Sequence, residues 1–234
     1  MVQLKALPEP DAMDFTLPEK YTCLITDDGE ITTAKLAQSL SDRSWKVVVL
    51  SFPQSLIAQQ SALPAGVTRI VLEDMSEEHL KQQLSAIADS IGPVGAFVHL
   101  NPAFQVSPNS GIHYLEAEKA IVKHVFLMAK YLKKSLNEAA SVGRSCFYTV
   151  AHLDGAFGLG QNVNFAPIGA GLFGLTKSLN FEWEHVFCRA IDLSPAFEAQ
   201  QSAEYIVAEL HDPNRTLAEV GYGSQGRTTI IGVN

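Results

Sequence analysis

His152 and Asp154 lie two positions apart and are a pair whose residue types could do chemistry. Such a pair can act in acid–base catalysis when the carboxylate orients the imidazole. A hydrolase would also need an activated nucleophile, such as the serine of a Gly-x-Ser-x-Gly elbow. The chain contains no such elbow, and Gly221-Tyr222-Gly223-Ser224 does not match it. The sequence therefore disfavours hydrolysis.

The loop from Thr26 to Thr33 joins an apolar run to a segment with helical spacing. A loop that holds a dinucleotide needs glycines, because backbone N–H groups must approach the pyrophosphate at a helix N-terminus. Here Asp27, Asp28 and Glu30 bring negative charge to that place. A like-charge pair at about 4 Å costs roughly 1–4 kcal/mol, depending on local screening. We therefore interpret the loop as a tight turn in which Asp27 or Asp28 caps the following helix.

The composition excludes several classes of function. The chain has 234 residues, is 47% hydrophobic and carries a net charge of -8. An acidic chain without a basic stripe is a poor ligand for a phosphate backbone, so no nucleic-acid partner is expected. The three cysteines lie at long spacings without a zinc pattern, so we expect no metal and a cytoplasmic location. No apolar stretch approaches the roughly 18 residues of a membrane helix.

Short apolar runs alternate with longer amphipathic stretches along the chain. The predicted strands are 21–26, 46–51, 68–72, 95–100, 144–151, 187–193, 219–222 and 228–233. The predicted helices are 31–41, 76–90, 116–135, 166–183 and 202–212. This alternation predicts an α/β fold, a Rossmann-like doubly wound parallel sheet of about six to seven strands with helices on both faces. Ligand sites of such sheets lie at the carboxyl ends of the strands.

The domain organisation follows from the same pattern. Residues 1–20 contain Pro8, Pro10, Pro18 and several acidic residues, but no basic region followed by an apolar stretch. They therefore do not resemble a signal peptide, and we predict a linker or wrapping arm. Residues 21–234 are predicted to form a single Rossmann-like domain.

The order and spacing resemble a short-chain dehydrogenase/reductase, and four local matches carry the resemblance. These matches are Thr26 at the start of the Thr-Gly loop, Asp74 after the third strand near the adenine, Gly160-Gln161 with Phe165 before the catalytic Tyr, and Gly174–Leu179 with Glu182 at the end of the catalytic helix.

A closer resemblance is to the ketoreductase region of bacterial polyunsaturated fatty acid synthases, which are relatives of type I polyketide synthases. It rests on residues 150–158, 170–195 and 208–223, the last with an Asp-Pro-Asn-Arg turn. The resemblance implies two Rossmann-like halves, a structural cofactor-free half followed by one that uses NADPH. The second half reduces β-ketoacyl groups on an acyl carrier protein. The resemblance also places Asp154-Gly155 at a turn.

The resemblance identifies the positions at which an active member has its chemistry. The glycines of the cofactor loop fall at Asp27, Ile31 and Thr33, the Ser at His152, the Tyr at Phe165 and the Lys at Gly169. The β-branched Ile31 is expected to fill the space that the phosphates need. Phe165 has no proton to give and Gly169 has no side chain, so these positions are expected to be vestigial.

Cations near the cofactor are also missing. Ser51-Phe52-Pro53 offers nothing to a 2′-phosphate, and Arg69 is expected at the surface. Polyketide ketoreductases move the catalytic lysine to the preceding long helix, where Lys123 is a possible relic. The alternative is that Lys123 belongs to the polar side of that helix.

The sequence thus predicts a catalytically silent structural half with no bound cofactor, while NADPH belongs to the adjoining half. The expected partners are the downstream catalytic half, other synthase domains and an acyl carrier protein. A first alternative is an active reductase that uses Tyr148 or Tyr114 as the acid. A second is a module that mediates dimerisation or docks the carrier protein through the lysines between Lys119 and Lys134, among them Lys130 and Lys133.

Overall fold

A computed structural model describes residues 2–104, 115–160 and 167–232. The strands of this part are β1 (Val2–Ala6), β2 (Thr22–Thr26), β3 (Val47–Ser51), β4 (Thr68–Val71), β5 (Val94–Leu100), β6 (Cys146–Ala151), β7 (Phe187–Leu193), β8 (Glu219–Gly223) and β9 (Gly226–Gly232). The helices are α1 (Ile31–Ser41), α2 (Glu77–Ser90), α3 (Glu116–Ala140), α4 (Gly171–Glu182) and α5 (Ala199–His211), and a 3-10 helix spans Pro167–Ala170.

All the described strands belong to one sheet in the order β1-β9-β8-β7-β6-β5-β2-β3-β4. Seven strands pair in parallel, in the sheet order β8-β7-β6-β5-β2-β3-β4. Strand β9 is antiparallel to both β8 and β1. The predicted doubly wound Rossmann-like sheet is confirmed. Its extent is corrected from six to seven parallel strands to nine strands with an antiparallel edge. The winding reverses between β2 and β5, which opens a crevice at their carboxyl ends.

The central strands are buried along their whole length, which is why their sequences are nearly continuous apolar runs. Every residue of β2, β3, β5 and β6 is buried. Helices α1 and α5 pack on one face of the sheet through Leu36, Leu40 and Ile206. Helices α2, α3 and α4 contribute to the core on the other face.

Most helix boundaries follow from local chemistry. Helix α1 spans the predicted residues, and α2 begins one residue after its predicted start because Ser76 is the N-cap. The Ser76 hydroxyl accepts a hydrogen bond from the His79 N–H at 3.2 Å. Helix α3 continues five residues past its predicted end at Ser135. No helix in the described residues is long and apolar enough to cross a membrane.

The N-terminal segment contains a strand that the sequence analysis did not predict. Strand β1 lies antiparallel to β9, with Leu4 opposite Ile230. The segment then continues across the domain, where the Phe15 ring packs against Trp45 and His211. Residues 1–20, predicted as a linker or wrapping arm, thus include an edge strand of the sheet.

Four charged side chains form a buried network between α5 and the sheet. Glu209 accepts hydrogen bonds from Arg189, Arg227 and the Tyr222 hydroxyl, while Asp212 pairs with both arginines. Arg227 also donates to the Pro8 carbonyl at 2.7 Å, and Arg189 donates to the Asn214 carbonyl.

Two arginines face two carboxylates in this network, so the buried charges balance. The network also explains the Asp-Pro-Asn-Arg turn, because two of its four residues supply acceptors to the arginines. It joins the N-terminal segment, β7, β9 and α5 into one unit.

Replacing Glu209 with Gln should lower the free energy of unfolding by about 3–5 kcal/mol, because two buried arginines lose one of their two shared counter-ions. Urea denaturation followed by circular dichroism measures the change. The matched control is Glu204→Gln on the exposed side of the same helix, which should change stability by less than about 0.5 kcal/mol. Equal effects of the two substitutions would show that the network does not stabilise the fold.

Candidate functional site

A buried polar chain lines the crevice between β2 and β5. The Thr26 hydroxyl lies 2.7 Å from His99 Nδ1 and accepts a hydrogen bond from the Leu100 N–H at 3.1 Å. On the other side of the ring, His99 Nε2 lies 3.4 Å from Asn101 Oδ1. Burial lowers the pKa of His99 to about 3, so the imidazole is neutral. A neutral ring with Nδ1 as acceptor and Nε2–H as donor satisfies both contacts.

The aromatic ring of Phe52 closes the crevice from the side of β3. Phe52 follows β3 directly and is only 1% exposed. Its ring centroid lies 6.3 Å from that of His99 and 6.1 Å from that of His124 on α3, in both cases edge to face. Burial also lowers the pKa of His124 to about 4, and its Nε2 has no partner among the described residues. The end of β3, whose Ser51-Phe52-Pro53 sequence contains no cation, thus contributes a buried apolar side chain to the crevice.

Asp27 follows β2 and is held by groups from β3 and β4. Its carboxylate accepts a hydrogen bond from the Ser51 hydroxyl at 2.7 Å and pairs with Arg69 at 3.2 Å. It also accepts the Gly29 N–H at 3.0 Å, which tightens the turn. The sequence analysis expected Arg69 at the surface. The structure instead makes Arg69 the counter-ion of a buried carboxylate.

Asp28 stabilises the start of α1 without being its N-cap. Its carboxylate accepts the Thr33 hydroxyl at 2.6 Å and the Glu30 N–H at 3.0 Å. The N-cap is Glu30, whose side chain makes no capping hydrogen bond. The prediction that Asp27 or Asp28 caps this helix is therefore wrong, although Asp28 holds the turn that leads into it. Burial raises the pKa of Asp28 to about 6, against the opposing effect of these hydrogen bonds.

The expected role of Ile31 is wrong, because its side chain is 55% exposed and fills no cleft. Another isoleucine covers the loop instead. Gly29 has a φ of +85°, and a Cβ at this position would lie 2.6 Å from Ile57 Cγ2. Ile57 belongs to the segment after β3, whose Ser61 hydroxyl donates to the Glu30 carbonyl at 3.0 Å. The chain between β3 and β4 therefore packs directly on the loop where a dinucleotide would bind.

Gly169, at the position of the family lysine, faces a buried carboxylate. The Gly169 N–H donates to Glu118 Oε1 at 2.6 Å, and a Cβ on Gly169 would lie 3.0 Å from Asn101 Nδ2. Glu118 is fully buried, its Oε2 has no partner among the described residues, and burial raises its pKa. The residue of α3 that reaches this region is therefore Glu118 and not a lysine.

Sequence reasoning missed Glu118, although a pattern points to it. Glu118 lies in phase with the buried positions Ile121, Val125 and Met128 on one side of α3. A carboxylate on the apolar face of a helix is a buried charge, and such groups need hydrogen-bond partners.

Among the described residues, Lys123, Asp74 and His152 are not brought together as a catalytic set. Lys123 is exposed, and its charge lowers the pKa of Glu77 on α2, after the larger effects of Lys130 and Tyr131. Asp74 is exposed and accepts the Ser76 N–H at 2.7 Å, so it stabilises the start of α2. His152 is half-buried beyond the end of β6, and burial lowers its pKa to about 4. Phe165 lies outside the described residues.

Of the two tyrosines predicted as alternative acids, Tyr148 does not lie in this crevice. The Tyr148 hydroxyl donates to the Glu209 carbonyl at 2.9 Å, within the network under α5. Burial raises its pKa to about 12, which is unsuited to proton donation near neutral pH. Tyr114 lies outside the described residues.

Asp154 belongs to a turn and does not pair with His152. Its carboxylate accepts the N–H groups of Ala156, Gly158 and Gly160, each at 2.8 Å. The turn at Asp154-Gly155 that the resemblance implied is therefore present. Gly155 has a φ of +71° and packs so closely on β8 that any Cβ would clash with the Tyr222 carbonyl. Within the described residues, no group of three His, Cys, Asp or Glu side chains could hold a metal ion.

Comparison with known proteins gives a sequence relative and several structural ones, while no family model matches the chain. The chain is 28% identical over 231 residues to one of the polypeptides of a polyunsaturated fatty acid synthase from Thraustochytrium sp.. The alignment covers 96% of this chain but only 8% of that polypeptide. The chain is thus homologous to a small part of a much longer protein.

Among solved structures, RhlG of Pseudomonas aeruginosa, in an active-site complex with NADP, superposes with a TM-score of 0.63 at 15% identity. That match covers 85% of this chain and 92% of RhlG. Ligand-free aldohexose dehydrogenase of Thermoplasma acidophilum gives a TM-score of 0.55 at 13% identity, over 74% of this chain and 66% of that one. At such low identities, the two superpositions show only that this chain has a Rossmann-like fold.

Replacing Asp28 with Asn should raise the free energy of unfolding by about 1–3 kcal/mol at pH 8, and the gain should shrink below pH 6. The folded-state pKa of about 6 lies above the ordinary value of 3.8. Asp28 therefore contributes stability at low pH that is lost as the pH rises through about 6. Urea denaturation at pH 5 and pH 8 tests this prediction, with the exposed Asp89→Asn as control. If the substitution raised the free energy of unfolding by the same amount at both pH values, the raised pKa of Asp28 would be contradicted.

Proposed function

We propose that the chain is the structural, catalytically silent half of a synthase ketoreductase. In this proposal it braces a downstream half that reduces β-ketoacyl groups on an acyl carrier protein with NADPH. The chain itself binds no cofactor, and its partners are that half and the other domains of the synthase, in the cytoplasm. The homology to a short part of a polyunsaturated fatty acid synthase polypeptide supports this place in a larger assembly.

The observation that carries the proposal is the filled crevice. Phe52 lies against His99 at the carboxyl ends of the central strands, and Ile57 packs on Gly29 in the first loop. A dinucleotide needs both places, since its pyrophosphate binds at the first loop and helix N-terminus. Binding would require the segment after β3 to leave its contacts with that loop.

Electrostatics support the same conclusion. Asp27 already has a counter-ion in Arg69 and a hydrogen bond from Ser51, so its buried charge is compensated without a ligand. Asp28 has no cation of its own among the described residues, and burial raises its pKa. A pyrophosphate beside it would add negative charge to a loop that already disfavours the ionised form.

The bracing role fits the way the domain is tied together. The network around Glu209 connects the N-terminal segment with two strands and a helix, far along the chain from one another. A domain without chemistry can contribute to a neighbouring active site only by holding a surface in place, and a rigid scaffold does this best.

Hydride transfer distinguishes the structural half from an active reductase. The isolated chain should not oxidise NADPH in the presence of trans-decalone or a β-ketoacyl thioester, whereas a longer polypeptide with the downstream half should. Glu209→Gln in the longer polypeptide should lower turnover, although it changes no residue that could contact substrate. Turnover by the isolated chain would overturn the proposal. The bracing role would be overturned if Glu209→Gln destabilised the longer polypeptide but left its turnover unchanged.

A further inference from the structure

Asp192 is a buried carboxyl group near the end of β7 whose hydrogen-bond partners come from one loop. It is fully buried, and it accepts hydrogen bonds from the Leu153 N–H at 2.8 Å and from the Phe157 N–H at 2.7 Å. Both donors belong to the loop that follows β6, residues 152–160, which we call the β6 loop. Asp192 forms no ion pair with any described residue. A carboxyl group without a counter-ion therefore ties the β6 loop to the sheet.

The buried network around Glu209 shows how this fold stabilises its other deeply buried acids. There Glu209 and Asp212 both pair with Arg189 and Arg227. Asp192 is as deeply buried but has only N–H donors among the described residues, so its ionised form loses water without gaining a cation. Burial raises the pKa of Asp192 to about 7, against the opposing effect of the hydrogen bonds from the β6 loop. Neutral and ionised Asp192 are thus both populated near pH 7.

The charged and titratable groups on the elements around Asp192 do not supply the missing cation. The β6 loop carries Asp154, whose negative charge also raises the pKa of Asp192, and His152, whose own pKa burial lowers to about 4. Lys177 of α4 pairs with Glu219 of β8 at 3.0 Å, and the arginine of β7 belongs to the Glu209 network. The His152 ring is therefore neutral near pH 7, and each described cation on these elements already has a carboxylate partner.

The β6 loop has backbone strain within it and free space beside it. Phe157 has a φ of +60°, a left-handed conformation that residues other than glycine adopt at an energetic cost. Its ring packs edge to face on that of Phe173 of α4, with the centroids 5.7 Å apart. A cavity of about 360 Å³ lies between the loop and the β8–β9 turn, with Leu153 on one side and Ser224 and Thr228 on the other. The loop thus has room to shift while the strands stay paired.

We propose that the β6 loop is a pH-sensitive device, closed while Asp192 is neutral and opened when that carboxyl group ionises. Opening lets water solvate a charge that no described cation compensates. Because its pKa is raised above the ordinary value of 3.8, Asp192 favours the closed loop at low pH, and this contribution is lost as the pH rises through about 7. The inference does not depend on the proposed function, because Asp192 and the loop both belong to this chain.

Amide hydrogen exchange of the whole chain, followed by NMR, tests the device at single residues. If opening returns Asp192 to its ordinary pKa of 3.8, the equilibrium constant for opening rises about tenfold between pH 6 and pH 8. The protection factors of the Leu153 and Phe157 amides, which are corrected for the intrinsic pH dependence of exchange, should fall by the same factor. The internal control is the Gly92 amide after α2, which donates to the Ile87 carbonyl at 3.0 Å rather than to a carboxyl group and should keep its protection.

The variant Asp192→Asn keeps the shape of the side chain but cannot ionise, so the fall in protection at both loop amides should disappear. Protection of these amides that does not change with pH in the unchanged chain would overturn the proposal. A fall that persists in Asp192→Asn would also overturn it, because another group would then open the loop, and an equal fall at Gly92 would show that the loosening is not confined to the loop.

A carbon-13 NMR titration of the Asp192 carboxyl group in the unchanged chain decides the proposal even if the variant does not fold. A midpoint of about 7 that coincides with the fall in protection is the expected result. A midpoint of about 4, the ordinary value for an aspartate, would overturn the proposal.

Discussion

The burial of Phe52 beside His99 is the constraint on which the rest of the site depends. The change in winding between β2 and β5 opens a crevice that a Rossmann-like sheet must fill with a ligand or with its own side chains. Here the buried Phe52 ring lies edge to face against both His99 and His124. In the first loop, Asp27 and Asp28 accept hydrogen bonds that tighten the turn, and Ile57 packs on Gly29.

Much of the fold could be predicted from the sequence because the sheet is buried on both faces. Runs such as Val47–Ser51 and Phe187–Leu193 have no polar alternation, and the amphipathic segments between them give the helices. The edge strand Val2–Ala6 could not be found in this way. Its residues are mostly exposed, and its pairing with β9 joins parts of the chain that are more than 200 residues apart.

The contacts of the site were much less predictable than the fold. The residues at the family positions predict a first loop without its glycines and a site without a Tyr–Lys pair, but they do not indicate which side chains lie there instead. Ile57 reaches the first loop from a segment without helical or strand periodicity, and Arg69 reaches it from β4, which is not adjacent to β2 in the sheet. No local pattern therefore indicated either contact. Glu118 was visible in principle as a carboxylate in phase with apolar positions of α3. Its neighbour Gly169 lies 51 residues further along the chain, and only the fold brings the two together.

The central claim is that this domain has closed its own cofactor site, and direct binding tests it without any assumption about partners. Isothermal titration calorimetry measures whether NADPH binds to the isolated chain. Thermal unfolding of the same sample confirms that the chain is folded. The account predicts no binding heat above dilution, because Phe52, Ile57 and the buried aspartates occupy the crevice and its loop. A saturable isotherm with a micromolar dissociation constant would contradict it.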